Sequence, residues 1–106
     1  MYFTKIAEHQ KFSAEKLKKN PLFSDDKLML MDVYCAHPGQ SQHVHAHPNA
    51  AKVYVILEGT ARVTVGDQVQ EITSGEVAFA PRGVAHGMEV VGSKDVVALV
   101  FIAGTL

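Results

Sequence analysis

Histidine spacing is where this chain most clearly invites chemistry. Six histidines occur in 106 residues, and four of them (His37, His43, His45 and His47) fall within eleven positions. His43, His45 and His47 alternate with Val44 and Ala46. In an extended strand that alternation points all three the same way, with successive members about 6–7 Å apart. Ring nitrogens of His45 and His47 can then converge on one metal ion. His86 follows the turn Pro81-Arg82-Gly83 on a separate predicted strand and can supply a third nitrogen. Three imidazoles suit Fe, Ni, Zn, Mn or Cu, and imidazole alone does not choose among them. A His-x-His pair also occurs on plain surfaces. The competing reading of His45, His47 and His86 is a set of hydrogen-bonded polar residues in a barrel without metal.

The elements that must position these residues are strands. Leu28–Cys35 is apolar on both parities, so both its faces should be covered. Further runs follow at Gln42–His47, Lys52–Leu57, Ala61–Val65, Val69–Ile72, Val77–Ala80, His86–Val91 and Val96–Ala103. Turn residues separate them, including the hairpin signal Gly66-Asp67. About eight short strands at such spacing predict an all-β sandwich or barrel. Residues 1–26 read as an N-terminal arm and residues 27–106 as the barrel domain. Within the arm, Ser13 is placed to cap a helical turn over Ala14–Lys19, with Pro21 stopping it. Parity from Lys52 puts Tyr54 and Ile56 inside the barrel, and parity from His86 puts Met88 and Val90 inside. These side chains would form an apolar pocket wall.

Two strings carry a resemblance. Gly39-x5-His45-x-His47-x4-Lys52-x6-Gly59 resembles the first motif of the cupin superfamily, Gly-x5-His-x-His-x3–4-Glu-x6-Gly. Gly75-x5-Pro81-x-Gly83-x2-His86-x3-Val90 resembles the second, Gly-x5-Pro-x-Gly-x2-His-x3-Asn. Eight of the ten motif positions match. The resemblance implies a single-domain jelly-roll β-barrel. It also implies metal ligands at His45, His47 and His86. Three-histidine iron sites occur in that superfamily, so it further implies a candidate small-molecule oxygenase. An isomerase using the metal as a Lewis acid is a variant, and a non-catalytic or metal-free ligand-binding module is the alternative.

The main departure is Lys52, which stands where the motif has its glutamate ligand. An ammonium cannot ligate a metal. At about 4 Å and an effective dielectric near 20, two unit charges interact by ~4 kcal/mol. Three outcomes follow: Lys52 turns outward to an acid, or its amine is neutral in a dry pocket, or the metal is lost. The first is the expectation, leaving a three-histidine site. His43, sharing parity with His45, is a candidate fourth ligand. Glu89 has the wrong parity. His9, His37 and Arg82 read as surface residues, and Cys35 as a small buried one.

Composition narrows the classes. With 47% hydrophobic residues and a formal net charge of −1, the chain is neither disordered nor built for nucleic acid. The run Lys16, Lys18, Lys19 reads as a solvated face. The longest apolar run, Val96–Ala103, is far short of the roughly 20 residues that cross a bilayer as a helix. A single cysteine fits a reducing, cytoplasmic setting. A domain this small carries unpaired strand edges, so a homodimer pairing Lys27–Cys35 and the arm across a twofold is expected.

Overall fold

The computed structural model describes residues 2–105. After a 3-10 turn at Ile6–His9 come nine strands: β1 (Lys18–Asp25), β2 (Met29–Ala36), β3 (Ser41–His45), β4 (Asn49–Glu58), β5 (Thr60–Val65), β6 (Gln68–Thr73), β7 (Val77–Ala80), β8 (His86–Val90) and β9 (Val96–Thr105). They form two antiparallel sheets. One has the order β1-β2-β9-β4-β7 and the other β3-β8-β5-β6. This is the all-β architecture that the alternating pattern predicts and the jelly-roll barrel that the resemblance implies. None of the described helices is long and apolar enough to cross a membrane.

The core fills the space between the sheets, where Tyr34, Tyr54, Ile56, Ala98 and Val100 are at most 1% exposed. A second, smaller cluster of Val33, Cys35 and Val97 lies on the other face of the larger sheet. Ile6 and Phe12 of the arm and Leu22 of β1 pack against it. The arm therefore covers the outer face of β2. That is why β2 is apolar on both parities.

The helical turn expected over Ala14–Lys19 is not formed. Residues 14–16 bend, Ser13 Oγ accepts a hydrogen bond from the Glu15 amide (3.2 Å), and the chain is extended from Lys18. Pairing with β2 overrides the local preference. Pro21 is tolerated because β1 is an edge strand and its register slips between Pro21 and Phe23. The buried Asn20 amide donates to the carbonyls of Lys11 (3.0 Å) and Val33 (3.1 Å), pinning arm and strand together. One consequence corrects the expected edge: β2 lies between β1 and β9, so on that side of the sheet the edge strand is β1.

Gly87 shows how tightly the site is framed. A Cβ there would lie 2.8 Å from the Gln42 carbonyl oxygen and 3.0 Å from the Val44 nitrogen. Gly87→Ala is expected to push β3 from β8 and lower stability by about 1–3 kcal/mol. It should also lower metal uptake, because His45 rides on β3. Urea denaturation and a metal titration check both. An alanine variant as stable as wild type would show that the strands can yield.

Candidate metal centre

Three imidazoles meet at one end of the barrel. His45 ends β3 and pairs in register with His86 at the start of β8. His47 lies in the connection to β4, where its carbonyl accepts a hydrogen bond from the Gly83 amide (2.9 Å). The Val84 amide bonds to the Pro81 carbonyl (3.1 Å), and Gly83 takes φ +78° at the third position of this turn. Glycine suits that position because its φ is positive. The turn thus ties His47 to the segment that delivers His86.

The ring nitrogens of His45, His47 and His86 lie within 4.8 Å of one another, so these three residues can hold a metal ion. His45 Nε2 and His47 Nε2 are 3.1 Å apart. That is close to the span of two nitrogens sharing a metal at about 2.0–2.1 Å from each. His45 Nδ1 bonds the carbonyl of His43 (2.8 Å), and His86 Nδ1 bonds the carbonyl of Val84 (3.0 Å). A carbonyl only accepts, so each Nδ1 carries the proton and each Nε2 presents a lone pair. His86 Nε2 is buried and has no hydrogen-bond partner among the described residues. A buried acceptor without a donor costs free energy, and a cation on that lone pair would remove the cost. Burial holds the His47 and His86 imidazoles below their usual pKa, with the Lys52 charge and the neighbouring histidines adding to it; at His86 the Val84 carbonyl opposes the shift. Neutral rings are what metal ligation needs.

His43 does not join the set. The register of β3 against β8 shifts between Gln42 and His45. The shift breaks the alternation, so Gln42 is buried while His43 is exposed. The candidate fourth ligand is therefore outside the cluster, its exposed ring 5.6 Å from that of His45.

Lys52 corrects the other expectation. It is 1% exposed and points inward. Its Nζ lies 5.0 Å from the ring centroids of both Tyr34 and Tyr54. Among the described residues no carboxylate oxygen comes within 4.0 Å of it. Burial pushes its pKa down to about 7; Lys19 adds to the shift, and Asp32 opposes it. The second outcome for Lys52, an amine that deprotonates readily in a dry pocket, is the one this environment favours.

Tyr54, Ile56 and Met88 line the interior as parity predicts, each at most 3% exposed. Sequence reasoning missed the polar chain behind them. Tyr54 Oη donates to Gln42 Oε1 (2.7 Å), and Gln42 Nε2 donates to Tyr34 Oη (3.3 Å). Burial keeps both tyrosine hydroxyls protonated, well above their usual range. Asp32, 6% exposed, shares the inward parity of Tyr34, and burial raises its pKa against the pull of Lys19 and Lys52. The available signal is the period-two placement of Asp32 and Tyr34 in a run that otherwise reads as plain core.

The remaining candidates lie elsewhere. His37 Nδ1 meets Asp95 (2.8 Å) and its ring stacks on Phe12, while His9 bonds Thr4. Glu89 faces out and pairs with Arg62 (2.7 Å), and Arg82 is exposed. Cys35 is fully buried, and burial pushes its thiol up to about 11, which leaves little nucleophilic thiolate.

Known proteins share this architecture. Protein TT1209 from Thermus thermophilus superposes with a TM-score of 0.93 at 36% identity, covering 98% of each chain. A double-stranded β-helix protein from Klebsiella pneumoniae superposes with a TM-score of 0.89 at 22% identity, over 97% of this chain and 84% of that one. Mannose-1-phosphate guanylyltransferase 2 of Escherichia coli O157:H7 is 33% identical over 52 residues, which is 49% of this chain but 11% of that protein. The match thus spans about one ninth of that relative's length. Residues 32–102 match the family profile described as the cupin domain, and they contain all three converging histidines. The chain belongs to the cupin family.

Proposed function

We propose that this cupin binds one divalent transition metal ion through His45, His47 and His86 and uses it as an oxygenase of a small molecule. The carrying observation is the convergence of three imidazoles, with one ring nitrogen, His86 Nε2, buried without a partner among the described residues. Three protein ligands leave positions for substrate and dioxygen, so bound iron, nickel, manganese or copper would supply redox chemistry there, and zinc only Lewis-acid chemistry. The chain's own contribution is positional. The carbonyls of His43 and Val84 fix two ring tautomers. Tyr54, Ile56 and Met88 keep water from the inner wall. Lys52 holds a mobile proton close to the tyrosines.

The buried Lys52 amine favours a second reading, since in its protonated form it opposes a cation. In that reading the barrel is a metal-free ligand-binding module. Elemental analysis of untagged protein, beside His47→Ala, separates the two. One metal per chain, lost in the variant, is the expected result. No metal after exposure to Fe, Ni, Zn, Mn and Cu would leave the module. Oxygen uptake with thiols, diketones and aromatic diols then tests turnover. We also propose a homodimer, checked by sedimentation at micromolar concentration, and a cytoplasmic setting, which the single buried thiol supports.

A further inference from the structure

We infer that the barrel takes a small carboxylate, admitted through a basic cleft between β1 and β3 and held by the ammonium groups of Lys19 and Lys52 beside Tyr34. The cleft has a volume of about 550 Å³, and Lys16, Lys18, Lys19 and His43 line it without any carboxylate among the described residues. A cavity of that size accepts a small organic acid. Lys19 pairs with Tyr34 between β1 and β2. The lysine run of the arm is solvated, as expected, and forms the rim of the cleft.

The floor of the cleft leads inward. Gln42 lines it and donates to Tyr34 Oη. The Tyr34 ring lies 5.5 Å from Lys19 Nζ and 5.0 Å from Lys52 Nζ. Lys52 is buried, and no carboxylate among the described residues pairs with it. Asp32 is the acid that acts on both lysines. When Lys52 is protonated, two ammonium groups face one carboxylate, which leaves an excess of one positive charge. Lys19 is exposed and screened by water, so the cost falls on the buried Lys52 charge, which is expensive while unpaired. A monoanionic carboxylate cancels the excess, whereas a phosphate dianion overshoots it. The second amide hydrogen of Gln42 and the planar faces of Tyr34 and Tyr54 suit a flat acid head.

The inference names the ligand class for the oxygenase reading and rests on that reading for any chemistry after binding. Binding itself needs no metal, so chelator-treated protein is the test material. Calorimetric titrations would use pyruvate and benzoate, with pyruvamide, benzamide and inorganic phosphate as controls. The acids are expected to bind one per chain and the amides not at all. Lys52→Met should weaken acid binding at least tenfold. Lys19→Gln, at an exposed position, should weaken it several-fold while leaving the melting curve unchanged. The idea is overturned if neither acid binds. It is equally overturned if Lys52→Met leaves acid binding intact, or if phosphate binds as well as the acids, since a merely cationic surface would do that. Failure of the metal analysis would not alter these outcomes, and failure here would not alter the metal count.

Discussion

Replacing Lys52 with methionine is expected to stabilise the metal-free protein by roughly 2–4 kcal/mol at pH 6, and by clearly less at pH 8.5. The lysine pKa falls from 10.5 to about 7 on folding. Between those values the folded chain binds fewer protons than the unfolded chain. Stability then rises with pH across that window, and the cost of the buried charge is fully present below it. The slope is about 1.4 kcal/mol per pH unit for one group. Methionine removes this cost, although it forfeits the cation–π contacts with Tyr34 and Tyr54 and leaves Asp32 with Lys19 as its remaining cation. Those losses keep the net gain below the full ionisation cost. Chemical denaturation of both proteins at pH 6, 7, 8 and 8.5 isolates the effect in their difference. A difference that does not change with pH would mean that Lys52 keeps an ordinary pKa and the interior is wetter than its 1% exposure indicates.

Lys52→Glu should do the opposite to the empty barrel and transform it toward metal. A buried carboxylate near Asp32 destabilises the metal-free protein by like charge and desolvation. With a divalent ion present, the same carboxylate becomes a ligand and the ammonium's repulsion disappears. At about 5 Å and an effective dielectric near 20, each unit pair is worth roughly 3 kcal/mol. Affinity for Zn, Mn or Fe should therefore rise at least a hundredfold, read by competition with a chelator. Metal should raise the melting temperature of the variant far more than that of wild type. Unchanged affinity would place position 52 outside the reach of a metal held by the three histidines, and Lys52 would then have no part in that centre.

Much of the site is legible in residue spacing alone. The spacing of Gly39, His45, His47 and Gly59, and of Pro81, Gly83 and His86, reflects local requirements. A turn needs its glycine, and a strand puts residues two apart on one face. These rules hold wherever the strands lie, so the shared face of His45 and His47 and the apolar wall of Tyr54, Ile56 and Met88 can be read directly. The same alternation also places Lys52 inward, whereas its charge argues for the surface. Alternation prevails because β4 sits between β9 and β7, where Lys52 pairs with Ile102 and Ala80 and its side chain lies over the Tyr34 and Tyr54 rings.

The departures from expectation share one cause. Regular alternation groups His43 with His45, yet a register shift against β8 turns His43 out and brings Gln42 in. Residues 18–25 carry a lysine-rich, helix-compatible start, yet pairing with β2 and the Asn20 hydrogen bonds make them a strand. Both outcomes depend on a partner far away in the chain, and no local pattern contains it. Amino-acid sequence alone determined the strand periodicity and the turns, because each follows from short-range sterics, and it pointed to His45, His47 and His86 through the resemblance of its two motifs. Tertiary structure alone decided the bulge, the added edge strand and the environment of Lys52, because strand pairing and desolvation are properties of what packs against a residue.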